Sequence, residues 1–206
     1  MGIVLHGVAA GKGIAIGRAH LVVRGHEEVP QYDLAENEIA AETARFEAAI
    51  KTTRRQLEQI RSTIPENAPT ELGAFISLHL MLLTDVTLSR EPLDIIEEQH
   101  INAEWALKIQ TDRLSQQFEA INDEYLRTRK KDMLQVVERI HNNLTGSGNE
   151  LNLDANLLDD TILIAHDLSP ADTVHLKEQR VTAFVTDAGG PTSHTAILGR
   201  SLDIPS

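Results

Sequence analysis

A glycine-rich turn followed by hydroxyl side chains and a histidine is the part of this sequence whose residue types are suited to chemistry. It reads DAGGPTSHTA and spans residues 187–196. The glycines let the backbone turn sharply, and Thr192 and Ser193 are residue types that cap helix starts. They would place His194 on the first turn of a helix, where free backbone N–H groups and the positive end of the helix dipole favour an anion.

The chemistry that this arrangement favours is phosphoryl transfer. A histidine side chain is largely neutral at pH 7, so a ring nitrogen of His194 has a lone pair that can attack phosphorus. The helix start can hold the phosphoryl oxygens, and phosphoryl transfer depends mainly on positioning and on stabilisation of charge. The residues alone leave a structural or solvated loop histidine open as the alternative.

Three other motifs predict little. Residues 7–13 imitate a phosphate-binding loop but have three intervening residues rather than four, and no Ser or Thr follows Lys12. His166 and Asp167 have metal-ligating side chains, yet no third ligand follows at helical or strand spacing, so a loop role is favoured. A Ser193–His194 hydrolase is disfavoured because adjacent side chains on a helix diverge.

Composition limits the classes of partner. There are 31 acidic and 19 basic residues, a formal net charge of -12, and no cysteine. This balance argues against nucleic acid and anionic membranes as partners, and it fits a protein partner with a basic patch. Charge that only maintains solubility explains it equally well. With no apolar run of transmembrane length and no signal peptide, we expect a cytoplasmic location.

A long helical segment, residues 33–144, occupies the middle of the chain. Its first part has a seam with 4-3-4 spacing, a pattern typical of a helix that packs along one stripe. Asp33 is the expected N-cap and Pro65 the expected stop of this helix. Further segments repeat the spacing, so we expect an antiparallel bundle, with a kink or solvent gap where threonine stands on the seam. The first seam consists of Ile39, Thr43, Phe46, Ile50, Thr53, Leu57, Ile60 and Ile64.

The elements around His194 predict an α/β unit. Residues 161–165 and 181–186 are expected to be buried parallel strands, with helices at 170–177 and 193–202. The site then lies at the carboxyl edge of the sheet. The β-like stretches 3–5, 14–16 and 21–23 are expected to join this unit, since parallel strands need neighbours. The chain stops where a further strand should begin, so we expect a fragment.

Residues 189–202, GGPTSHTAILGRSL, closely resemble the phosphohistidine signature of enzyme I of the bacterial sugar phosphotransferase system. The resemblance extends over the whole chain, including residues 7–17 and 79–83. Thr195 favours enzyme I over the related dikinases, which usually have alanine there. Gly11-Lys12 departs from a frequent Ser-Pro, and Gly199 replaces a common alanine and is expected to loosen the helix.

The resemblance implies a discontinuous α/β phosphohistidine (swivelling) domain, residues 1–24 plus 145–206, with an all-α helical bundle, residues 31–144, inserted in it. His194 would be phosphorylated on Nε2. Ser169 would contact its ring or act as a plain N-cap, and Arg200 would offset phosphoryl charge or be a surface arginine. The other supporting residues are Gly189, Gly190, Thr192, Ser193 and Thr195. The residues expected to bind the carrier protein HPr are His79, Met81, Leu82, Asp85 and Arg129.

The activity implied is that of a phosphoenolpyruvate-protein phosphotransferase, which passes phosphoryl groups from phosphoenolpyruvate to HPr at the first step of sugar uptake. Phosphoenolpyruvate and Mg²⁺ would bind in a separate carboxy-terminal barrel, and no metal or cofactor is expected in this chain. We expect this chain to be a monomer and the full-length protein a homodimer. The alternatives are the phosphohistidine domain of a dikinase or phosphoenolpyruvate synthase, and a non-catalytic binding scaffold.

Overall fold

The chain divides into two compact units. One comprises residues 1–25, 63–75 and 150–206, and the other residues 26–62 and 76–149. We call them the α/β unit and the helical unit. The computed structural model describes residues 2, 4–22, 29–64, 70–120, 124–146, 160–168, 172, 176, 181–188, 190, 194–201 and 203–206.

Three parallel strands form the sheet of the α/β unit. They are β1 (Arg18–Val22), β2 (Thr161–Ala165) and β3 (Ala183–Thr186), in the order β1-β2-β3. Arg18 pairs with Thr161, and Ile162 pairs with Ala183. The prediction that the amino-terminal β-like sequence joins the carboxy-terminal strands is therefore confirmed for β1.

The apolar core of this unit lies against β2 and β3. Leu163 and Ala165 are buried while the alternate residues of β2 are half-buried, as expected for a strand with neighbours on both sides. Phe184 donates its backbone N–H to the Pro205 carbonyl at 3.1 Å, which brings the end of the chain alongside β3. The core cluster consists of Leu163, Ala165, Leu168, Leu176, Val181, Phe184 and Ile204.

Two predicted amino-terminal β stretches are not strands. Val4, Leu5 and residues 14–16 have no regular structure, whereas Leu21 and Val22 belong to β1. The side chains of Ile14 and Ile16 are 94% and 87% exposed. An alternating apolar pattern predicts a strand only if a neighbouring strand covers one face, and none of the described strands pairs with this stretch.

The helical unit lies between β1 and β2 in the sequence. Helix α5 packs against α4 and α6, and the first half of α2 belongs to the α/β unit by its contacts. Asp33 is not the N-cap of α1; it forms an antiparallel bridge with Ile101, and the helix begins six residues later. The helices are α1 (Ile39–Thr63), α2 (Thr70–Leu82), α3 (Val86–Ser89), α4 (Glu91–Gln99), α5 (Ala103–Glu119) and α6 (Glu124–Thr145).

The expected gap at the threonine of the α1 seam is filled by hydrogen bonds. Helix α1 runs unbroken, and Thr53 is fully buried. Its hydroxyl donates to the Ala49 carbonyl at 2.9 Å and accepts from Nδ2 of Asn143 at 2.8 Å. Asn143 also exchanges two amide hydrogen bonds with Gln56. A satisfied polar group can be buried without a solvent gap, which is why the prediction was wrong at Thr53.

An ion cluster joins three helices of the helical unit. Arg45 of α1 bonds both carboxylate oxygens of Glu42 and both of Glu104, and it donates to the Leu144 carbonyl at 3.0 Å. Asn102 donates to Glu104 at 2.9 Å. Burial alone would raise the pKa of Glu104, but hydrogen bonds from Arg45 and Asn102 prevail and lower it to about 2.

Among the described helices, none is by itself both long and apolar enough to cross a bilayer. Residues Leu72–Leu82 and Val86–Gln99 meet those criteria only as a pair bent by 61°.

Candidate functional site

The site lies where β2 and β3 end. Helix α7 (His194–Ser201) follows β3, and residues 187–193 connect them. His166 directly follows β2. Because β2 and β3 are parallel neighbours, their carboxyl ends meet at one edge of the sheet, where ligands of α/β folds bind. His194 is the first residue of helix α7, which corresponds to the helix predicted at residues 193–202.

The segment after β2 forms hydrogen bonds with the start of the loop that precedes α7 and with the first turn of α7. The backbone N–H of Ala188 donates to the His166 carbonyl at 3.0 Å. The hydroxyl of Thr195, which is 6% exposed, donates to the Leu168 carbonyl at 2.6 Å. Thr195, predicted as a supporting residue, thus anchors the first turn of α7 to the loop after β2, which limits how far the helix start can move.

His166 and Asp187 form a side-chain pair at this edge. Nδ1 of His166 lies 2.6 Å from Oδ1 of Asp187, and the side chains are 81% and 76% exposed. Asp167, the neighbour considered in the sequence as a metal ligand with His166, instead accepts from the backbone N–H of Leu168 at 3.0 Å. Within the described residues, no three His, Cys, Asp or Glu side chains converge as metal ligands.

Several predicted site residues cannot be placed. Gly189, Thr192, Ser193 and Ser169 lie outside the described residues, as does the side chain of His194. Of the predicted helix at 170–177, only Asp172 and Leu176 are described, and both are helical and buried. Gly190 is described and exposed, and a Cβ there would meet nothing within 4 Å. Close packing against the residues that the structure describes therefore does not require glycine at position 190.

Arg200 and Gly199 lie near the far end of α7. Arg200 lies six positions after His194, about 9 Å along the helix. Its guanidinium donates to the Ala10 carbonyl at 3.0 Å, so this contact holds it to the amino-terminal segment, and its phosphoryl role stays a prediction. A Cβ on Gly199 would lie 2.9 Å from Cζ of Phe184. The glycine thus gives α7 a close approach to β3, rather than only loosening the helix.

The predicted docking residues at the end of α2 differ in exposure. Met81 is 61% exposed, Leu82 is half-buried, and Asp85 is exposed. Asp85 caps α3 by accepting from the backbone N–H of Thr87 at 2.9 Å. His79 is 1% exposed, so the surface offers no direct contact with its side chain. The docking role of these four residues stays a prediction.

Arg129 of α6 has a neighbouring carboxylate. Its guanidinium lies 3.5 Å from Oδ2 of Asp132, which is nearly buried, while the Arg129 side chain is 37% exposed. This geometry leaves part of the guanidinium accessible. Its approach to a partner stays a prediction.

Sequence reasoning missed the His166–Asp187 pair. The two residues are 21 positions apart, and each directly follows a predicted parallel strand. Carboxyl ends of neighbouring parallel strands meet at one edge, so comparing the residues that follow each strand was the available signal.

Comparisons with known proteins agree with this architecture. Residues 6–129 match the family described as PEP-utilising enzyme, N-terminal, and residues 157–206 match PEP-utilising enzyme, mobile domain. The phosphoenolpyruvate-protein phosphotransferase of Cupriavidus necator is 44% identical over 98% of this chain and 36% of its own length. That of Bacillus subtilis is 35% identical over 98% of this chain and 35% of its own length.

Solved structures give the same result. A solution structure of Enzyme I, with 35% identity, covers 98% of this chain and 81% of its own, with a TM-score of 0.76. A structure described as the N-terminal domain of Enzyme 1 - Nitrogen, with 26% identity, covers 95% of this chain and 79% of its own, with a TM-score of 0.69. They confirm the predicted fold class, an α/β domain with an inserted helical bundle.

The chain spans about a third of the length of the curated relatives that it matches. The matching segments are the amino-terminal and mobile-domain parts of the family. The chain therefore belongs to the PEP-utilising enzymes, as a relative of the amino-terminal part of phosphoenolpyruvate-protein phosphotransferases.

Proposed function

We propose that this chain carries a phosphoryl group on His194 and exchanges it with the histidine of HPr, as one step of a relay from phosphoenolpyruvate. The observation that carries the proposal is that α7 begins at His194 at the carboxyl edge of the parallel sheet. There the first backbone N–H groups of a helix favour an anion. The names of the relatives, phosphoenolpyruvate-protein phosphotransferases, support this reaction over that of a dikinase.

Transfer of the phosphoryl group from HPr to His194 needs no general base. The lone pair on Nε2 of His194 attacks phosphorus, the P–N bond of the donor histidine breaks, and its electron pair returns to that imidazole. The reverse step has the same form. Positioning and charge stabilisation at the start of α7 are then the contributions of this chain.

The end of α2 is the proposed contact surface for HPr. Met81 and Asp85, four positions apart, offer an exposed apolar side chain and an exposed carboxylate, and Leu82 is half-buried beside them. Such a mixture suits a partner that combines apolar and basic side chains. Arg129 is a further proposed contact, and His79 would act from beneath the surface by packing.

The remaining steps belong to the longer relatives. Phosphoenolpyruvate and Mg²⁺ would act through the part of the longer relatives that lies outside the third of their length matched by this chain. We therefore propose that this chain does not use phosphoenolpyruvate alone. A cytoplasmic location and a monomeric chain, with a dimeric full-length protein, complete the proposal.

The test is transfer from phosphorylated HPr to the purified chain. Label should appear on the wild type as an acid-labile phosphate and be absent from His194→Ala. The matched control is His6→Ala, which removes an exposed histidine of the amino-terminal segment and should leave labelling unchanged. A folded wild type that takes no label, or equal labelling of His194→Ala, would reject the proposal. Tight binding of HPr separates it from a dikinase-type domain.

A further inference from the structure

Residues 10–13, with the sequence AGKG, lie against the carboxy-terminal residues within the α/β unit. We call them the 10–13 loop. The backbone N–H groups of Ala10 and Gly11 both donate to the Ser206 carbonyl, at 2.9 and 3.0 Å. These two N–H groups belong to the stretch that imitates a phosphate-binding loop. The stretch therefore serves a contact within the protein.

Both glycines of the 10–13 loop are explained by this contact. A Cβ on Gly11 would lie 2.7 Å from the carbonyl oxygen of Ile204. Gly13 has a φ of +134°, and a Cβ there would lie 2.7 Å from Cγ of Pro205. On Gly7, by contrast, a Cβ would meet nothing within 4 Å among the described residues. Glycine at positions 11 and 13 thus allows the backbone to approach residues 204–206 closely.

The same loop also holds the last turn of α7. The guanidinium of Arg200 donates to the Ala10 carbonyl at 3.0 Å. The backbone N–H of Ile204 donates to the Gly199 carbonyl at 2.9 Å. Together with the bond from Ala10 to Ser206, these contacts form a closed ring. It runs from α7 to the loop, from the loop to the carboxy-terminal residues, and from these back to α7.

Helix α7 is therefore attached at both of its ends. At its start, the hydroxyl of Thr195 donates to the Leu168 carbonyl at 2.6 Å. The helix has eight residues, so it is about 12 Å long. A short helix attached only at its start can turn about that point, whereas a second attachment at its end fixes its direction. The second attachment comes from Ala10, which lies 190 positions before Arg200 in the sequence.

We propose that the 10–13 loop, through Arg200, is a positioning element for phosphoryl transfer, because it holds the helix that begins at His194 in one orientation. The proposal rests on the proposed function, since the orientation of α7 affects transfer only if His194 carries the phosphoryl group. Arg200 acts here through the helix and makes no contact with the phosphoryl group. Small errors in the position of a reacting group are costly, since a shift of about 1 Å can slow a reaction about a hundredfold.

Two variants of the ring test this role in transfer from phosphorylated HPr. Arg200→Met removes the donor, and Gly11→Ala disturbs the same loop without changing any charge. Each should lower the single-turnover rate constant about tenfold and leave the dissociation constant of HPr unchanged, because the proposed contact surface lies at the end of α2. The double variant should be no slower than the slower single variant, because both changes break one connection.

The matched controls are Gly7→Ala, in the same stretch of sequence, and Arg18→Gln, which alters an exposed arginine of β1. Both should transfer at the wild-type rate. A wild-type rate in Gly11→Ala would overturn the inference. If Arg200→Met alone were slow, the arginine would act through its charge and the loop would have no positioning role.

Hydrogen exchange of the α7 amides gives a second readout, which needs no phosphoryl group. Exchange should accelerate about fivefold in Arg200→Met and in Gly11→Ala, the scale of one lost hydrogen bond, while the β2 amides keep their wild-type rates. Unchanged exchange in α7 would overturn the inference and leave the proposed function intact. A folded wild type that takes no label would reject the proposed function, and with it the role in transfer, even if exchange showed that the loop holds α7.

Discussion

Arg45 joins three helices of the helical unit through its polar contacts. It bonds the carboxylates of Glu42 and Glu104 and the carbonyl of Leu144, so it joins α1 to the start of α5 and the end of α6. The hydrogen bonds that Arg45 donates to these two carboxylates raise its pKa above the ordinary value. Such a cluster adds stability only while every member keeps its partner.

Replacing Glu104 by Gln should therefore make the free energy of unfolding depend less on pH in the acidic range. The pKa of Glu104 lies at about 2 in the folded chain against an ordinary 4.5. A lowered pKa adds stability above about pH 4.5, and that stability is lost as pH falls toward 2. We expect the free energy of unfolding of the wild type to exceed that of Glu104→Gln by about 2 kcal/mol at pH 7. This difference should shrink as the pH falls below 4.5. Urea unfolding followed by Trp105 fluorescence in α5 measures it.

The matched control is Glu119→Gln, which alters an exposed carboxylate of α5 paired with Lys130. Its unfolding curve should follow the wild type across the same pH range, because exposed pairs contribute little. If the difference in the free energy of unfolding between wild type and Glu104→Gln stayed unchanged down to pH 3, the low pKa assigned to Glu104 would be contradicted.

At the scale of elements, the junction of β1 and β2 depends on a glycine. A Cβ on Gly17 would lie only 1.9 Å from the carbonyl oxygen of Asp160, and the next residue, Arg18, donates to that same carbonyl at 2.9 Å. The side chain of any other residue would push the strands apart where their pairing begins. The two strands come from opposite ends of the sequence, so this close approach fixes their register.

Gly17→Ala should weaken the sheet by about 2 kcal/mol or more, since backbone must move to accept the methyl group. Gly73→Ala is its matched control, because a Cβ there meets nothing within 4 Å and glycine inside helix α2 is unfavourable. Hydrogen exchange of the β2 and β3 amides should accelerate in Gly17→Ala. It should not accelerate in Gly73→Ala, and equal rates in both variants would refute this account.

Sequence patterns predicted the elements better than their pairing. The run 161–165 is β2 with the bounds expected, and the α1 seam buries Phe46, Leu57 and Ile60. The strand predicted at residues 14–16 was wrong because an alternating pattern shows which side chains are apolar but not whether a neighbouring strand exists. The contact between His166 and Asp187 was not predicted because it follows from the pairing of β2 with β3 and not from the residues next to either side chain.

At the scale of the whole molecule, negative charge is the dominant property. The formal net charge is -12, and Asp85 lies exposed within the proposed contact surface. Attraction between unlike charges accelerates encounter and is screened by salt. The rate constant for association with HPr should fall several-fold between about 50 and 500 mM salt, as measured by stopped-flow fluorescence. A rate independent of salt would exclude this steering.

Two single variants separate local from overall charge. Asp85→Asn removes a carboxylate from the proposed surface and keeps a residue that caps α3 equally well. Glu97→Gln removes an exposed carboxylate of α4. The salt dependence should weaken more in Asp85→Asn, whereas identical slopes would indicate that only the total charge matters.

The pairing of β1 with β2 sets an order of events during synthesis. Strand β1 is synthesised before the helical segment, and its hydrogen-bonding partner β2 is made only after that segment. Closing so long a loop is slow, while helix contacts form between nearer residues. The helices can therefore pack while β1 is still unpaired. The apolar residues of β1 are then exposed and available to a chaperone.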